Sequence, residues 1–199
     1  MKKLFSSFKP ILRNYFLILL VYFFFYVASG GMENNIPFLF EKRIGNSLYG
    51  IFLSLLSIMD VVLPLLIVYF SKKFSPLAVG SLSLLLGAGA AVGISLTEHK
   101  AVAFVGLFLV YCVRIMFNYS AGNSFNLAVP SEERTGYFAL RDIFLYGAIA
   151  ISTWFSGWLI GKWNMEAAYG FLSVGFLIAL VLPGMDGSGS SGKKRKKYI

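Results

Sequence analysis

The sequence has one cysteine and one histidine. Cys112 has no partner for an intramolecular disulfide. With His99 as the only imidazole, the usual structural zinc clusters are excluded as well. No metal or other cofactor is expected. Charge is also scarce: Asp, Glu, Lys and Arg make up 14% of the 199 residues, against about 25% in an ordinary globular protein. A soluble domain clothes its surface with charge, and this chain has too little to do so. It is instead 57% apolar, with 20 Phe and 11 Tyr. These residues come in long runs, as in an integral membrane protein.

Acidic residues are the scarcer charge, and the formal net charge is +9. A nucleic-acid reader would carry such an excess on one face of a folded domain. Here the basic residues fall in short clusters between apolar runs, the pattern that sets membrane orientation. No nucleic-acid partner is expected; the lipid bilayer is. The basic start followed by an apolar stretch lacks a small-residue cleavage site and is read as a retained first helix. Runs such as Val61-Val62-Leu63-Pro64-Leu65-Leu66 do not alternate with polar residues, which excludes barrel strands.

Charges and turn residues cut the chain into six spans of the length a transmembrane helix needs. They are expected at about 14–40, 48–70, 76–97, 101–127, 137–161 and 167–182, the first tilted or broken at Gly30-Gly31. Residues 1–13 form a basic cytoplasmic segment, 14–184 the membrane domain, and 185–199 a flexible basic cytoplasmic tail. With both termini inside, the N-terminal lysines, Lys72, Lys73, Arg134, Arg141 and the C-terminal basic run all lie inside. Only Lys42, Arg43, Lys100 and Lys162 lie outside, and Arg114 lies within the membrane. The positive-inside bias therefore puts both termini in the cytoplasm, as an even number of spans requires. The plasma (inner) membrane is the expected location.

Ionised groups inside a bilayer need a partner or a wet cavity. At about 1.5 Å per residue, Asp60 lies ~20 Å below the outer face, counted from Ser47, and Arg114 ~21 Å below it, counted from Lys100. The matched depths predict that the second and fourth helices approach and that Asp60 pairs with Arg114, directly or through water. Glu33 lies in the outer part of the first helix, beside Asn34 and Asn35. Helical spacing puts Tyr22, Tyr26, Ser29/Gly30, Glu33 and Pro37 on one face. On the fourth helix it aligns Tyr111, Arg114, Asn118, Gly122 and Asn126, and on the second Gly50, Ser57, Asp60 and Pro64. The fifth offers Ser152, Thr153 and Ser156, with Gly157 and Gly161 spaced for helix packing. The third and sixth helices carry no charge in their apolar stretches. A polar, polar, plain order repeated once fits an inverted 3+3 repeat.

Six helices with both ends inside, a basic turn after the second, an Arg within the fourth and plain third and sixth helices resemble the N-terminal half of a major facilitator superfamily transporter. Val129-Pro130-Ser131-Glu132-Glu133-Arg134-Thr135-Gly136 looks like that family's cytoplasmic loop between helices 4 and 5. The segment from Gly147 to Gly161 is similar to its small-residue-rich fifth helix. The family's loop between helices 2 and 3 usually reads Gly-x-x-x-Asp-Arg-x-Gly-Arg-Arg. Here Tyr69-Phe70-Ser71-Lys72-Lys73-Phe74-Ser75 keeps the basic turn without the Gly and Asp. The resemblance covers roughly residues 10–184. It implies an all-α, six-helix, 3+3 inverted-repeat half of a major-facilitator-type fold.

The same resemblance implies a half-size secondary active transporter, proton-coupled, that moves a small molecule. Glu33, Asp60, Arg114, Asn34, Asn118 and Tyr26 would form its translocation site. Lys72, Lys73, Glu132, Glu133 and Arg134 would form its cytoplasmic gating loops. It would need a separate six-helix half or a homodimer partner. The alternative is a non-transporting subunit, or truncated remnant, that docks another membrane protein. An enzyme is not expected: there is no His-rich helix and no Gly-x-Ser-x-Gly, and Asp60 alone lacks the second carboxylate that aspartyl chemistry needs.

Overall fold

A computed structural model describes residues 2–70 and 73–182, with side chains undescribed for residues 2–8 and Phe70. Lys72 and the tail at 185–199 lie outside the described residues. The described chain is all helix, with α1 (Lys2–Asn34), α2 (Tyr49–Phe70), α3 (Pro76–Leu96), α4 (Lys100–Phe117), α5 (Arg134–Lys162) and α6 (Met165–Val181). α4 runs on through a π-helical turn, Asn118–Gly122, into Asn123–Leu127. The first five are long and apolar enough to cross a bilayer, which makes this an all-α membrane protein.

Five of the six expected spans reach that length among the described residues, and the last is a shorter apolar helix. α6 has 17 residues, about 25 Å of helix against the ~30 Å of a hydrocarbon core. Asn164 fixes its start, its side chain accepting from Ala167 N at 2.7 Å. The second to fifth helices fall close to the expected ranges because their ends rest on strong local signals, whereas α1 starts at Lys2 and ends at Asn34 instead of running from about 14 to 40. Ser75 caps α3, accepting from Ala78 N at 3.2 Å, and Pro76 occupies the first helical position, where its missing N–H is harmless.

α1 does not break at Gly30-Gly31. The helix runs through both glycines because they are packing points. A Cβ on Gly31 would lie 2.8 Å from Leu172 Cδ2 of α6, and one on Gly30 would lie 3.0 Å from Ile149 Cγ1 of α5. The break comes at Asn35. Its N–H turns to Met32 O at 3.2 Å, and its side-chain Nδ2 takes over Gly31 O at 2.6 Å. Pro37 comes next but one and has no N–H with which to continue the ladder. The chain then makes a short turn, Ile36–Leu39, and a π turn, Phe40–Ile44, before α2.

α1 packs along α5 and α6, α3 along α4 and α6, and α2 along α4. Phe25 of α1 is fully buried at the centre, stacked on Phe117 at 4.1 Å with its edge to Phe176 at 5.9 Å. Gly157 and Gly161 face open space rather than a helix of this chain, so their spacing does not serve packing here.

Gly175 has the opposite surroundings. A Cβ there would lie 2.9 Å from the carbonyl oxygen of Phe24 and 3.0 Å from Ala28 Cβ. A backbone atom cannot rotate away, so Gly175→Ala is expected to lose about 1–3 kcal/mol by overpacking. A drop in melting midpoint, with Gly157→Ala unchanged, is the result to look for. Equal midpoints for the two variants would refute the close approach of α1 and α6.

Candidate functional site: an intramembrane polar seam

The seam is built by two antiparallel helices in register. α1 presents Tyr22, Tyr26 and Glu33 on one face, and α4 answers with Gly122, Asn118 and Arg114 in reverse order. Tyr22 Oη donates to Gly122 O at 3.0 Å, Tyr26 Oη to Asn118 Oδ1 at 3.1 Å, and Arg114 Nη1 to Glu33 Oε2 at 2.6 Å. The π turn of α4, Asn118–Gly122, lies at this face and carries both the Asn118 and the Gly122 acceptors; such turns recur at functional sites.

The expected Asp60–Arg114 pair is corrected. Arg114 pairs with Glu33, and Tyr111 stands between it and Asp60. Tyr111 is one turn before Arg114, so its ring lies under the guanidinium, with Arg114 Cζ 4.7 Å from the ring centroid. Its hydroxyl donates to Asp60 Oδ2 at 2.8 Å. Asp60 thus takes the Tyr111 hydroxyl as its partner, and Arg114 meets the face of the same ring. The result is a relay of four groups from three helices: Glu33, Arg114, Tyr111 and Asp60.

The relay holds two carboxylates and one guanidinium. Glu33 and Arg114 are 18% and 32% exposed by side chain, whereas Asp60 lies at the exposed edge. Glu33 Oε1 is buried without a hydrogen-bond partner among the described residues, as is Ser29 Oγ one turn away. Burying an ionised oxygen without a partner is unfavourable, so this oxygen is the obvious place for a proton or a ligand donor.

α5 closes the Asn34–Asn35 end of the seam. Asn34 Nδ2 donates to Thr153 Oγ1 at 2.5 Å and Asn35 Nδ2 to Ser156 Oγ at 2.9 Å. Of the expected site residues, Glu33 is thus joined to Arg114 and Tyr26 to Asn118 along the α1–α4 face, Asn34 turns to Thr153 of α5, and Asp60 is reached through Tyr111. Asp60 of α2 and Thr153 of α5, which bond to Tyr111 and Asn34, are both exposed.

The expected gating residues divide. Glu133 accepts from Tyr15 Oη of α1 at 2.8 Å, and Tyr15 meets the Tyr137 ring of α5 edge-on at 5.4 Å. Arg134 Nε donates to Val129 O at 3.1 Å, closing the turn before α5. Glu132 is exposed; its backbone N–H and the Ser131 hydroxyl hold its carboxyl below the usual range. Lys73 is exposed and has no ion-pair partner among the described residues, and Lys72 lies outside them.

Arg43 is the functional-looking residue that the sequence does not single out, since there it is one outer-loop charge among four. Its side chain is 9% exposed and ion-paired with Glu166 in the first turn of α6, while Nη1 donates to Ile94 O and Thr97 O, both at 2.9 Å. A cation on the last carbonyls of α3 also complements that helix's dipole. Nothing local marks a contact between residues this far apart in the chain. Among the described residues no group of three or more His, Cys, Asp or Glu is placed to hold a metal ion. Compared with protein-family models, curated proteins and solved structures, the chain gives no match.

Proposed function

We propose that this chain is one half of a secondary active transporter, proton-coupled and of the major-facilitator type. Its six helices form a 3+3 inverted repeat, both termini lie in the cytoplasm, and a second six-helix half or a second copy covers the seam. The observation that carries the reading is the single guanidinium shared by two intramembrane carboxylates, Glu33 directly and Asp60 through Tyr111.

With both acids ionised, this group carries one excess negative charge. A proton, or a cationic part of a substrate, brings it to neutrality. Only the neutral group is cheap to seal away from water in a low-dielectric interior. Loading would thereby permit the closure that alternating access requires, and an unloaded site would hold the cleft open.

The packing supports the repeat. Exchange α1 with α4, α2 with α5 and α3 with α6: the α1–α5 contact becomes α4–α2, α1–α6 becomes α4–α3, and α3–α6 returns to itself. All of these contacts are present. An inverted repeat with its site between α1 and α4 is a common carrier design.

A proton falling through 100 mV yields about 2.3 kcal/mol, enough for about a fifty-fold gradient of a small molecule. The test is flux into proteoliposomes from a mixture of small metabolites, with and without an imposed proton gradient. At least one solute is expected to accumulate under the gradient and to equilibrate when a protonophore is added. Glu33→Gln, folded to the same melting midpoint, is expected to abolish accumulation. Flux indifferent to both the gradient and Glu33→Gln would sink the proposal. A stable complex with another membrane protein and no flux at all would favour the docking-subunit alternative, for which the exposed Asp60 at the edge of the relay is the supporting feature.

A further inference from the structure

The exchange of helices fails in one place, and there the structure leaves a groove. α5 packs against α6, but the corresponding helix, α2, leans on α4 and does not pack along α3. The gap is an apolar cavity of about 350 Å³ between α2 and α3, floored by Met116 of α4. Leu63 and Ile67 line it from one side, Ala78 and Leu82 from the other, and Phe74 of the connecting turn lines its end. Every lining side chain is apolar, so no water would be held there by hydrogen bonds.

The end marked by Phe74 is the basic end. Lys73 immediately precedes Phe74 and is exposed, with no ion-pair partner among the described residues. The start of α3 comes just after, at Pro76, so its positive dipole end points the same way. Hydrocarbon surface along the membrane and positive charge at its cytoplasmic edge match one class of molecule.

We propose that an anionic glycerophospholipid is a structural ligand here, with one acyl chain wedged between α2 and α3 and its phosphate against Lys73. The site is independent of the transport reading. It requires only that the chain be in a membrane with the turn between α2 and α3 at its surface. The lipid replaces the α2–α3 helix contact and holds α2 at the distance that lets Asp60 reach Tyr111.

The test uses the full chain purified in mild detergent and equilibrated with equal amounts of phosphatidylglycerol and phosphatidylcholine. Native mass spectrometry then counts the retained lipids. The wild-type chain is expected to retain phosphatidylglycerol in preference to phosphatidylcholine. Lys73→Gln should weaken that preference about fivefold, equivalent to ~1 kcal/mol for one basic residue near a membrane surface. Ala78→Phe fills the groove and is expected to remove retention of either lipid. Equal retention of the two lipids by the wild-type chain would overturn the proposal. So would unchanged retention by a folded Ala78→Phe chain, or loss of a dimeric mass from that variant with its lipid still bound, which would give the groove to a second copy. Should Ala78→Phe fail to fold, Lys73→Gln still decides, because an exposed lysine is dispensable for folding. An unchanged preference in that variant overturns the lipid site.

Discussion

Arg43→Ala is expected to be the most destabilising single change among the turns that join the helices. The substitution strands Glu166 without its ion-pair partner and leaves Ile94 O and Thr97 O, at the end of α3, without their donor. Removing one partner of a buried pair typically costs about 3–5 kcal/mol, because the other charge stays behind uncompensated. Glu166 is 31% exposed and partly rehydrates, so the loss should fall toward the lower end of that range. Arg43→Lys is expected to rescue only part of it. A lysine ammonium is a point charge and cannot span a carboxylate and two carbonyls as the planar fork does. The measurement is the thermal or denaturant midpoint of the purified protein. Lys42→Ala serves as control: Lys42 is the exposed neighbour and its charge lies over the Phe38 ring at 5.7 Å. Matching midpoints for Arg43→Ala and Lys42→Ala would remove the clamp between α3, α6 and the turn after α1.

The second large effect concerns the relay. Arg114→Gln leaves Glu33 largely buried without its counter-charge, and a loss at the low end of about 3–5 kcal/mol is expected. Glu33→Gln in the same chain removes the stranded carboxylate and should restore part of the lost stability. The two changes are therefore expected to be strongly non-additive, by about 0.5–3 kcal/mol as for residues in direct contact. Asp60→Asn makes the contrast. Asp60 touches Tyr111 rather than Arg114, so its coupling to Arg114→Gln should be weaker and should disappear in a Tyr111→Phe background. A cycle in which Asp60, not Glu33, couples to Arg114 would put the guanidinium on the other carboxylate and reverse the wiring of the site.

The depth of Arg114 and Asp60 is legible in the sequence, since the rise per helical residue is fixed and counting along each helix gives it. The choice of partner is not, because it depends on which side chains of the neighbouring helices come within reach of the guanidinium. Tyr111, one helical turn before Arg114, belongs to the same face and takes Asp60 as its own partner. The face of α1 that carries Tyr22, Tyr26 and Glu33 is legible from its spacing, and so is the α4 face with Arg114 and Asn118. That the two faces meet in antiparallel register is consistent with both patterns and written in neither alone.

Gly30-Gly31 shows the same division. A glycine pair late in a long helix reads equally well as a break or as a packing surface. Leu172 and Ile149, distant in sequence, make it a packing surface. The break lies instead at Asn35, whose side chain supplies the bond that the helix loses before Pro37. Gly157 and Gly161, spaced for a helix interface, face open space in this chain. A spacing motif fixes which residues share a face but not what the face meets.

By itself, the sequence determined that this is a helical membrane protein, where the helices run, and which residues share a face. Those properties come from hydropathy and from the fixed pitch of the α-helix, both of them local. Only the tertiary structure decided that Arg114 serves Glu33, that Arg43 ties α3 to α6, and that α2 stands away from α3. Such contacts depend on helix directions and side-chain rotamers settled together by close packing, and no run of neighbouring residues encodes them.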